Sequence, residues 1–264
     1  METTKIIAVA NDKGGVGKTT TALTVGMELA RRGYRILLVD LDAQCSLTEN
    51  CLRFPADRTA FDAFLRPKEA EDCVVSGHDF EHPVDNVDLL PASKDMKDLE
   101  MILAAKTQHE KILTKIFRTL EIGRYYDVVV IDCPPSLGLL TKNALAVCNE
   151  LYVPTTAEHT PVVGLVKLRE ECEEIAEDLN PGLRISGIII TRYNKTKNLN
   201  MAADECLRKS FGDVVFSTRI RENIRIAESP QDLKDIIAYS PDSNGAKDYA
   251  ALVDEIVNRF DNER

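Results

Sequence analysis

The fold is decided by residues 10–20, which read Ala-Asn-Asp-Lys-Gly-Gly-Val-Gly-Lys-Thr-Thr. An apolar run at residues 6–9 precedes this stretch and a helical pattern at residues 21–32 follows it, which predicts a strand, a glycine-rich turn and a helix. Closely spaced glycines let successive backbone N–H groups curl around an anion, and the positive end of the helix dipole adds to the attraction. The stretch is therefore predicted to be a phosphate-binding loop.

The loop also carries the side chains that a nucleoside triphosphate requires. Lys18 would bring positive charge to the β- and γ-phosphates, and the Thr19 hydroxyl would be a ligand for magnesium. The common motif has a glycine where this chain has Asp12, and an additional lysine stands directly before the glycine pair. The predicted nucleotide-binding residues of the loop are Lys13, Gly14, Gly15, Val16, Gly17, Lys18, Thr19 and Thr20.

Apolar runs alternate with helical patterns along most of the chain. Continuous apolar runs are typical of strands buried on both faces of a parallel sheet. We therefore predict an α/β fold, a mostly parallel twisted sheet with helices on both faces. The predicted strands are residues 6–9, 35–39, 87–92, 126–132, 150–154 and 185–191, and the predicted helices are residues 21–32, 60–65, 67–72, 95–105, 110–121, 137–148, 161–178 and 245–260.

Composition favours one domain over residues 1–264 of a cytoplasmic protein. The 264 residues, 44 % of them hydrophobic, suffice for one large core, and no Pro-, Gly- or Ser-rich linker divides them. The chain lacks an apolar run of the roughly eighteen residues that a membrane span needs, and the first strand leaves little room for a signal peptide. The seven cysteines form no C-x-x-C pair, so we expect reduced and mostly buried thiols.

Aspartates stand at the ends of two predicted strands. Asp40 and Asp42 follow the run at residues 35–39, and Asp132 ends the run at residues 126–132. Because parallel strands direct their carboxyl ends to the crevice where open α/β sheets hold ligands, these carboxylates are predicted to lie near the phosphate loop. Asp132 has the position of the aspartate that holds magnesium in phosphate-loop proteins. A role for Asp40 and Asp42 as helix caps remains an alternative.

Three motifs resemble the ParA/MinD group of P-loop ATPases. Lys-Gly-Gly-x-Gly-Lys-Thr at residues 13–19 resembles the deviant Walker A loop of that group, and Asp-x-Pro-Pro-Ser at residues 132–136 resembles its Walker B segment. Residues 38–44 look like the Walker A′ segment, with Ala43 in place of the usual proline. The resemblance covers nearly the whole chain and is to ParA-type partition ATPases of the short form, which have no N-terminal DNA-reading extension.

Weaker similarities to the same group follow later in the chain. Residues 154–158 resemble the segment after the fifth strand, although Thr156 replaces a common glutamine. The stretches at residues 218–223 and 243–249 are also similar.

The resemblance implies ATP hydrolysis coupled to dimerisation, with ATP and Mg²⁺ as cofactors. Lys13, Lys18 and Asp42 would be catalytic. Lys13 would reach the nucleotide of the other subunit of a homodimer, and Asp42 would position the attacking water. Thr19, Asp40 and Asp132 would hold magnesium or its water shell. A monomer is therefore expected to hydrolyse ATP slowly.

Charge is distributed unevenly along the chain. The net charge of −10 argues against a nucleic-acid-binding protein, but residues 184–225 contain nine basic and four acidic residues. ParA-type ATPases bind DNA non-specifically as ATP dimers, so the resemblance implies DNA binding, nucleoid association and a ParB-type centromere-binding partner. A solvated surface, with Arg192 contacting nucleotide, is the alternative. The candidate DNA-binding residues are Arg184, Lys195, Lys197, Arg219, Arg221 and Arg225.

Other functions remain open at this point. A MinD-like ATPase that acts on a membrane would need a basic amphipathic tail, and residues 259–264 are short and near neutral. An iron–sulfur carrier would need paired interface cysteines, whereas Cys133 beside the Walker B aspartate is single. A cargo-positioning ATPase acting on a protein cluster would share the nucleotide motifs, and an adaptor that binds ATP with little turnover is a further alternative.

Overall fold

A computed structural model describes residues 4–104, 107–157 and 161–262. Its centre is a sheet in the order β3-β4-β2-β5-β1-β6-β7-β8, in which neighbouring strands are parallel except for the antiparallel pair β3–β4. The strands are β1 (Lys5–Val9), β2 (Ile36–Asp40), β3 (Val75–Ser76), β4 (Val87–Leu90), β5 (Val128–Asp132), β6 (Glu150–Thr156), β7 (Ile185–Tyr193) and β8 (Val215–Arg221).

Helices cover both faces of this sheet, which confirms the predicted α/β fold. Ala105 and Glu158, which fall in predicted segments, lie outside the described residues. The helices are α1 (Lys18–Arg31), α2 (Ser46–Cys51), α3 (Ala60–Leu65), α4 (Met96–Ala104), α5 (Ile112–Thr119), α6 (Ile122–Tyr125), α7 (Leu139–Leu145), α8 (Pro161–Asp178), α9 (Asn198–Phe211), α10 (Ile224–Glu228), α11 (Ile236–Tyr239) and α12 (Asn244–Asn262).

The strand β5 illustrates why the central runs are continuously apolar. Val128 and Val130 pack into the cluster formed with α1 and α12, whereas Val129 and Ile131 pack into the cluster on the opposite face. Since successive side chains of a strand point to opposite faces, a sheet covered on both sides needs apolar residues at every position. The same rule makes the aspartate that ends β5 a buried residue.

The elements that were not predicted include β8 and α9, at one edge of the sheet, and the short strand β3 at the other. The strand β8 lies at the end of the sheet and pairs with β7 on one side. Because it is less enclosed than the central strands, its sequence mixes apolar residues with serine, threonine and arginine. The helix α9 buries few apolar side chains and leaves Leu199 and Met201 nearly half exposed. Neither segment carries the strong apolar periodicity by which helices and strands are recognised in a sequence.

Several boundaries also differ from the predictions. In place of the predicted helix at 110–121, the structure has a 3₁₀ turn at His109–Lys111 followed by α5, and the short helix α6 lies beyond the predicted end. The buried side chain of Asn143 caps the start of α5. Its Oδ1 accepts, at 2.9 and 3.0 Å, from the N–H groups of Ile112 and Leu113, which have no partner within the helix. The predicted helix at 67–72 is a 3₁₀ segment, Pro67–Cys73.

The topology creates a crevice at the carboxyl end of β1. The chain leaves β1 between β5 on one side and β6 on the other, and this is the place where open parallel sheets hold their ligands. Six of the seven cysteines are buried and Cys206 is exposed. Within the described residues, none of the helices is both long and apolar enough to span a membrane.

Candidate nucleotide-binding site

The glycine-rich loop between β1 and α1 is held in place from three sides. The Asn11 side chain donates to the carbonyl of Pro154 on β6 at 2.7 Å and accepts from the Lys13 N–H at 3.0 Å. The Thr191 hydroxyl on β7 donates to the Val16 carbonyl at 2.8 Å. Gly17 lies at φ 93°, which favours glycine and lets the chain turn directly into α1. The loop is therefore a fixed cradle rather than a free turn.

The helix α1 begins at Lys18, three residues before the predicted start. Thr19 and Thr20 consequently lie in its first turn, where backbone N–H groups have no partner within the helix and can bind an anion. The Lys18 ammonium is buried and donates to the Lys13 carbonyl at 2.9 Å. Burial lowers the pKa of Lys18, and the nearby Asp132 carboxylate opposes that effect.

Asp40 and Asp132 are neighbours at the carboxyl ends of β2 and β5, and both are completely buried. Burial raises the pKa of Asp40 to about 6. Its oxygens are already occupied by protein donors: Oδ1 accepts from the Asp42 N–H at 3.0 Å, and Oδ2 accepts from the Thr48 N–H at 2.9 Å and its hydroxyl at 2.7 Å. The Asp40 carboxylate thus fixes the backbone that leads to Asp42.

Asp132 has the opposite environment. Neither of its carboxylate oxygens has a well-formed hydrogen bond among the described residues. Burial and then the charge of Asp40 raise its pKa well above the ordinary value, while the Thr19 hydroxyl and the Lys18 ammonium act in the other direction. An unpartnered buried carboxylate is unfavourable unless a cation neutralises it. The donor set of Asp132 and the Thr19 hydroxyl, all hard oxygens, fits magnesium.

A cavity of about 710 Å³ lies against the loop and the first turn of α1. Its walls include half-buried Asp42, the start of α2 and the segment 229–236. A second cavity, of about 540 Å³, adjoins the same loop and is lined by the apolar side chains of Ile224, Ile226 and Pro230. The polar and apolar lobes meet at Gly15 and Arg192, which suits a ligand with phosphates at one end and a flat apolar group at the other.

Lys13 lies outside this pair of cavities. Its side chain is exposed, and it lines a third cavity of about 450 Å³ with Thr156, Arg192 and Leu199. The two lysines of the loop therefore face different environments, one buried in the crevice and one at its open side.

A family model described as "AAA domain" matches residues 4–185. The chain is 40 % identical over 253 residues to the chromosome-partitioning ATPase Soj of Thermus thermophilus, covering 96 % of this chain and 95 % of Soj. It is 32 % identical over 257 residues to the chromosome partitioning protein ParA of Caulobacter vibrioides, covering 97 % and 94 %. The chain belongs to the ParA-type partition ATPase family.

A solved structure of another protein has the same fold over nearly the whole chain. The cobyrinic acid a,c-diamide synthase of Mycobacterium smegmatis with bound ADP and magnesium superimposes with a TM-score of 0.83 at 28 % identity. The alignment covers 99 % of this chain and 97 % of that one. The family to which the chain belongs is one of P-loop ATPases.

In this ParA-type chain, sequence analysis missed the residues that support the site. Thr48 and Thr191 hold the Walker A′ segment and the loop by buried hydroxyl groups. Nothing in a single sequence distinguishes these threonines from others. The apolar cavity wall near Ile224 was missed because it follows an edge strand that was not predicted.

The six candidate DNA-binding residues are not brought into one patch. Arg184 precedes β7, whereas Lys195 and Lys197 follow its other end, and a nine-residue strand spans roughly 30 Å. Most of the others have acidic partners. Arg219 is paired with buried Asp204 at 2.6 Å, Arg221 with Asp248 at 2.6 Å, Arg225 with Glu228 at 2.9 Å and Lys197 with Glu222 at 3.2 Å. Asp248 and Glu228 lie beyond residue 225, so the local charge count omitted them.

Proposed function

We propose that this protein is an ATP-hydrolysing dimerisation switch. Its ATP-bound dimer would bind DNA non-specifically and segregate a plasmid, chromosome or similar element with a ParB-type partner. The observation that carries the proposal is the buried, unpartnered carboxylate of Asp132 beside the Lys18 ammonium, with Lys13 exposed at the open side. The names of the Soj and ParA relatives support the partition role.

ATP and Mg²⁺ are the proposed cofactors. The N–H groups from Gly14 to Thr20 and the Lys18 ammonium would hold the phosphates, and the apolar lobe near Ile224 would hold the base. Thr19 and Asp132 would hold magnesium, whose charge would offset the negative charge on the phosphate oxygens. Asp40 would act by aligning Asp42, since its own oxygens accept from protein donors.

Asp42 is the proposed residue that positions the attacking water. It is half-buried at the cavity wall, and its Oδ1 accepts from the Gln44 N–H at 2.9 Å. We expect Asp42→Ala to bind ATP normally and to lose turnover by at least about tenfold, so that the ATP dimer accumulates. Phosphate release and light scattering would measure both effects. Undiminished turnover would remove Asp42 from the mechanism.

Lys13 is the proposed contact to the nucleotide of the other subunit. Its exposure at the open side of the crevice leaves the ammonium available to a second protomer. We expect Lys13→Gln to retain ATP binding but to remain monomeric in ATP, whereas Lys68→Gln, at another exposed lysine, should dimerise as the native chain does. Size-exclusion chromatography with light scattering tests this, and a normal ATP dimer of Lys13→Gln would refute the role.

The DNA surface is proposed to lie on the loop after β7, around Lys195 and Lys197. Lys195 is exposed and has no ion pair among the residues that the structure describes. Because phosphate contacts are electrostatic, DNA binding should require ATP and should weaken steeply with salt. We expect Lys195→Ala to lower the salt slope, while Arg184→Ala at the opposite edge should not. An equal effect of both variants would refute this location.

The ParB-type partner is proposed to stimulate hydrolysis. The experiment is an ATPase assay of the pure protein with DNA alone, with partner alone and with both. A partition switch should be slow by itself and fastest with both. A rate that stays near zero under every condition would favour the adaptor with little turnover.

A further inference from the structure

The end of β7 contains an irregularity directly beside the phosphate loop. Ile190 is opposite Arg219 and Tyr193 is opposite Arg221, so β7 has one residue more than β8 across this interval. This is a β-bulge, and bulges next to active sites redirect a side chain. Arg192 is in the bulge with φ 49°, a left-handed conformation that is unfavourable for a residue with a Cβ. Strain of this kind persists where the surrounding structure imposes it.

Both residues of the bulge act on the loop. Thr191 is buried, and its hydroxyl is within hydrogen-bond distance of the Val16 carbonyl at 2.8 Å and the Thr155 carbonyl at 3.2 Å. Arg192 is exposed and lies over Gly15, with Nη2 4.0 Å from the position that a Cβ on Gly15 would take. Thr191 therefore holds the phosphate loop by hydrogen bonds, and Arg192 lies over it.

Arg192 lines all three cavities around the loop, the polar lobe, the apolar lobe and the open side where Lys13 lies. Its guanidinium has no ion pair among the residues that the structure describes, and the neighbouring Glu222 is bound to Lys197 at 3.2 Å. An arginine in this state keeps its five N–H donors for an anion, and its planar group can lie on a flat ring.

We propose that the bulge places Arg192 over the nucleotide of its own subunit, where the guanidinium contacts both the base and the phosphates. This inference rests on the proposed ATP site and specifies how that site holds its ligand. ADP and ATP share the base, the ribose and the first two phosphates, so Arg192 strengthens the binding of both. Binding that is equal in substrate and transition state lowers KM and leaves kcat unchanged. Arg192 differs in this respect from Lys13, whose loss acts on dimerisation.

The test uses substitutions at Arg192 that separate the effect of backbone strain on stability from the effect of the guanidinium on nucleotide affinity. Arg192→Gly removes the guanidinium and relieves the left-handed strain, and Arg192→Asn removes the guanidinium with a residue that tolerates this conformation. The control is Gln108→Gly, at another exposed residue with positive φ (56°), which lines none of the three cavities. Each full-length variant is compared with the native chain for Tm without nucleotide, for Kd of ATP and ADP with Mg²⁺, and for kcat and KM.

Arg192→Gly should raise Tm by about 2–4 °C while its Kd for ATP and ADP and its KM increase about tenfold, with kcat within twofold. Arg192→Asn should show the same loss of affinity. Gln108→Gly should raise Tm similarly and leave both Kd values unchanged. Native affinity for nucleotide in either Arg192 variant would overturn the proposed nucleotide contact. An unchanged or lower Tm in Arg192→Gly would overturn the proposed backbone strain at this position. If the native protein itself bound no ATP, the proposed function would fail instead.

Discussion

Replacement of Asp132 by asparagine should stabilise the protein when nucleotide and metal are absent. The native carboxylate is fully buried without a well-formed hydrogen bond, a situation that costs several kcal/mol per charge. The asparagine amide would also be unsatisfied, which costs about 1–3 kcal/mol. The difference leaves a net gain of about 2 kcal/mol at pH 8, or a Tm increase of about 4–8 °C for a chain of this size.

The stability difference between the native chain and Asp132→Asn should depend on pH, and the pKa of Asp132 sets the direction. Burial raises the pKa of Asp132 in the folded state above its ordinary value of 3.8, so between those two values the folded state binds more protons than the unfolded state. The stability of the native chain therefore falls as pH rises through this window. The advantage of Asp132→Asn should be about 2 kcal/mol at pH 8 and should shrink toward pH 4.5, because the folded native chain takes up a proton at Asp132 more readily than the unfolded chain does.

The assay is urea unfolding followed by circular dichroism in EDTA at both pH values. Asp127→Asn is the control of opposite sign, since the hydrogen bond from Arg35 lowers the pKa of Asp127 and this pair stabilises the folded state. Because the pair is well exposed, that loss should stay below about 1 kcal/mol. With Mg²⁺ and ADP present, both proteins should gain stability, and Asp132→Asn should gain less because it lacks the carboxylate proposed to hold magnesium. An Asp132→Asn protein no more stable than the native chain at pH 8 would refute the reasoning.

Three further substitutions test the supports of the site and the core. Thr48→Val deletes the 2.7 Å hydrogen bond to Asp40 and should cost about 1.5–3 kcal/mol in urea unfolding, with Thr48→Ser restoring most of it; an unchanged midpoint would contradict this. Gly187→Ala would place a methyl group against the ring of Phe216 and should lower stability by about 1–3 kcal/mol, and an undiminished Tm would show that the ring moves freely. Asn143→Ala removes two acceptor contacts at the start of α5 and should speed amide exchange there; native protection factors would argue against the cap.

The phosphate loop and the central sheet could be predicted from sequence because their signals are local. Residues 10–20 combine an apolar run, three glycines and a helical pattern, and each part follows from contacts within a few residues. The strands β2 and β5 were recognisable for the same reason, since burial on both faces requires apolar residues at every position. The edge elements α9 and β8 are half exposed, so their sequence carries a weaker pattern and they were missed.

The amino-acid sequence is enough to predict that a phosphate loop precedes a helix and that aspartates end two parallel strands. Tertiary structure decided what each carboxylate is free to do. Asp40 accepts from Thr48, eight residues away in sequence, whereas Asp132 receives no such bond, although both end buried strands. The bulge at Arg192 likewise depends on the register between β7 and β8. Strand register arises from packing between distant segments, and the bonds that Asp40 accepts from residues 42 and 48 depend on how the chain folds back after β2, so neither can be read from a single sequence.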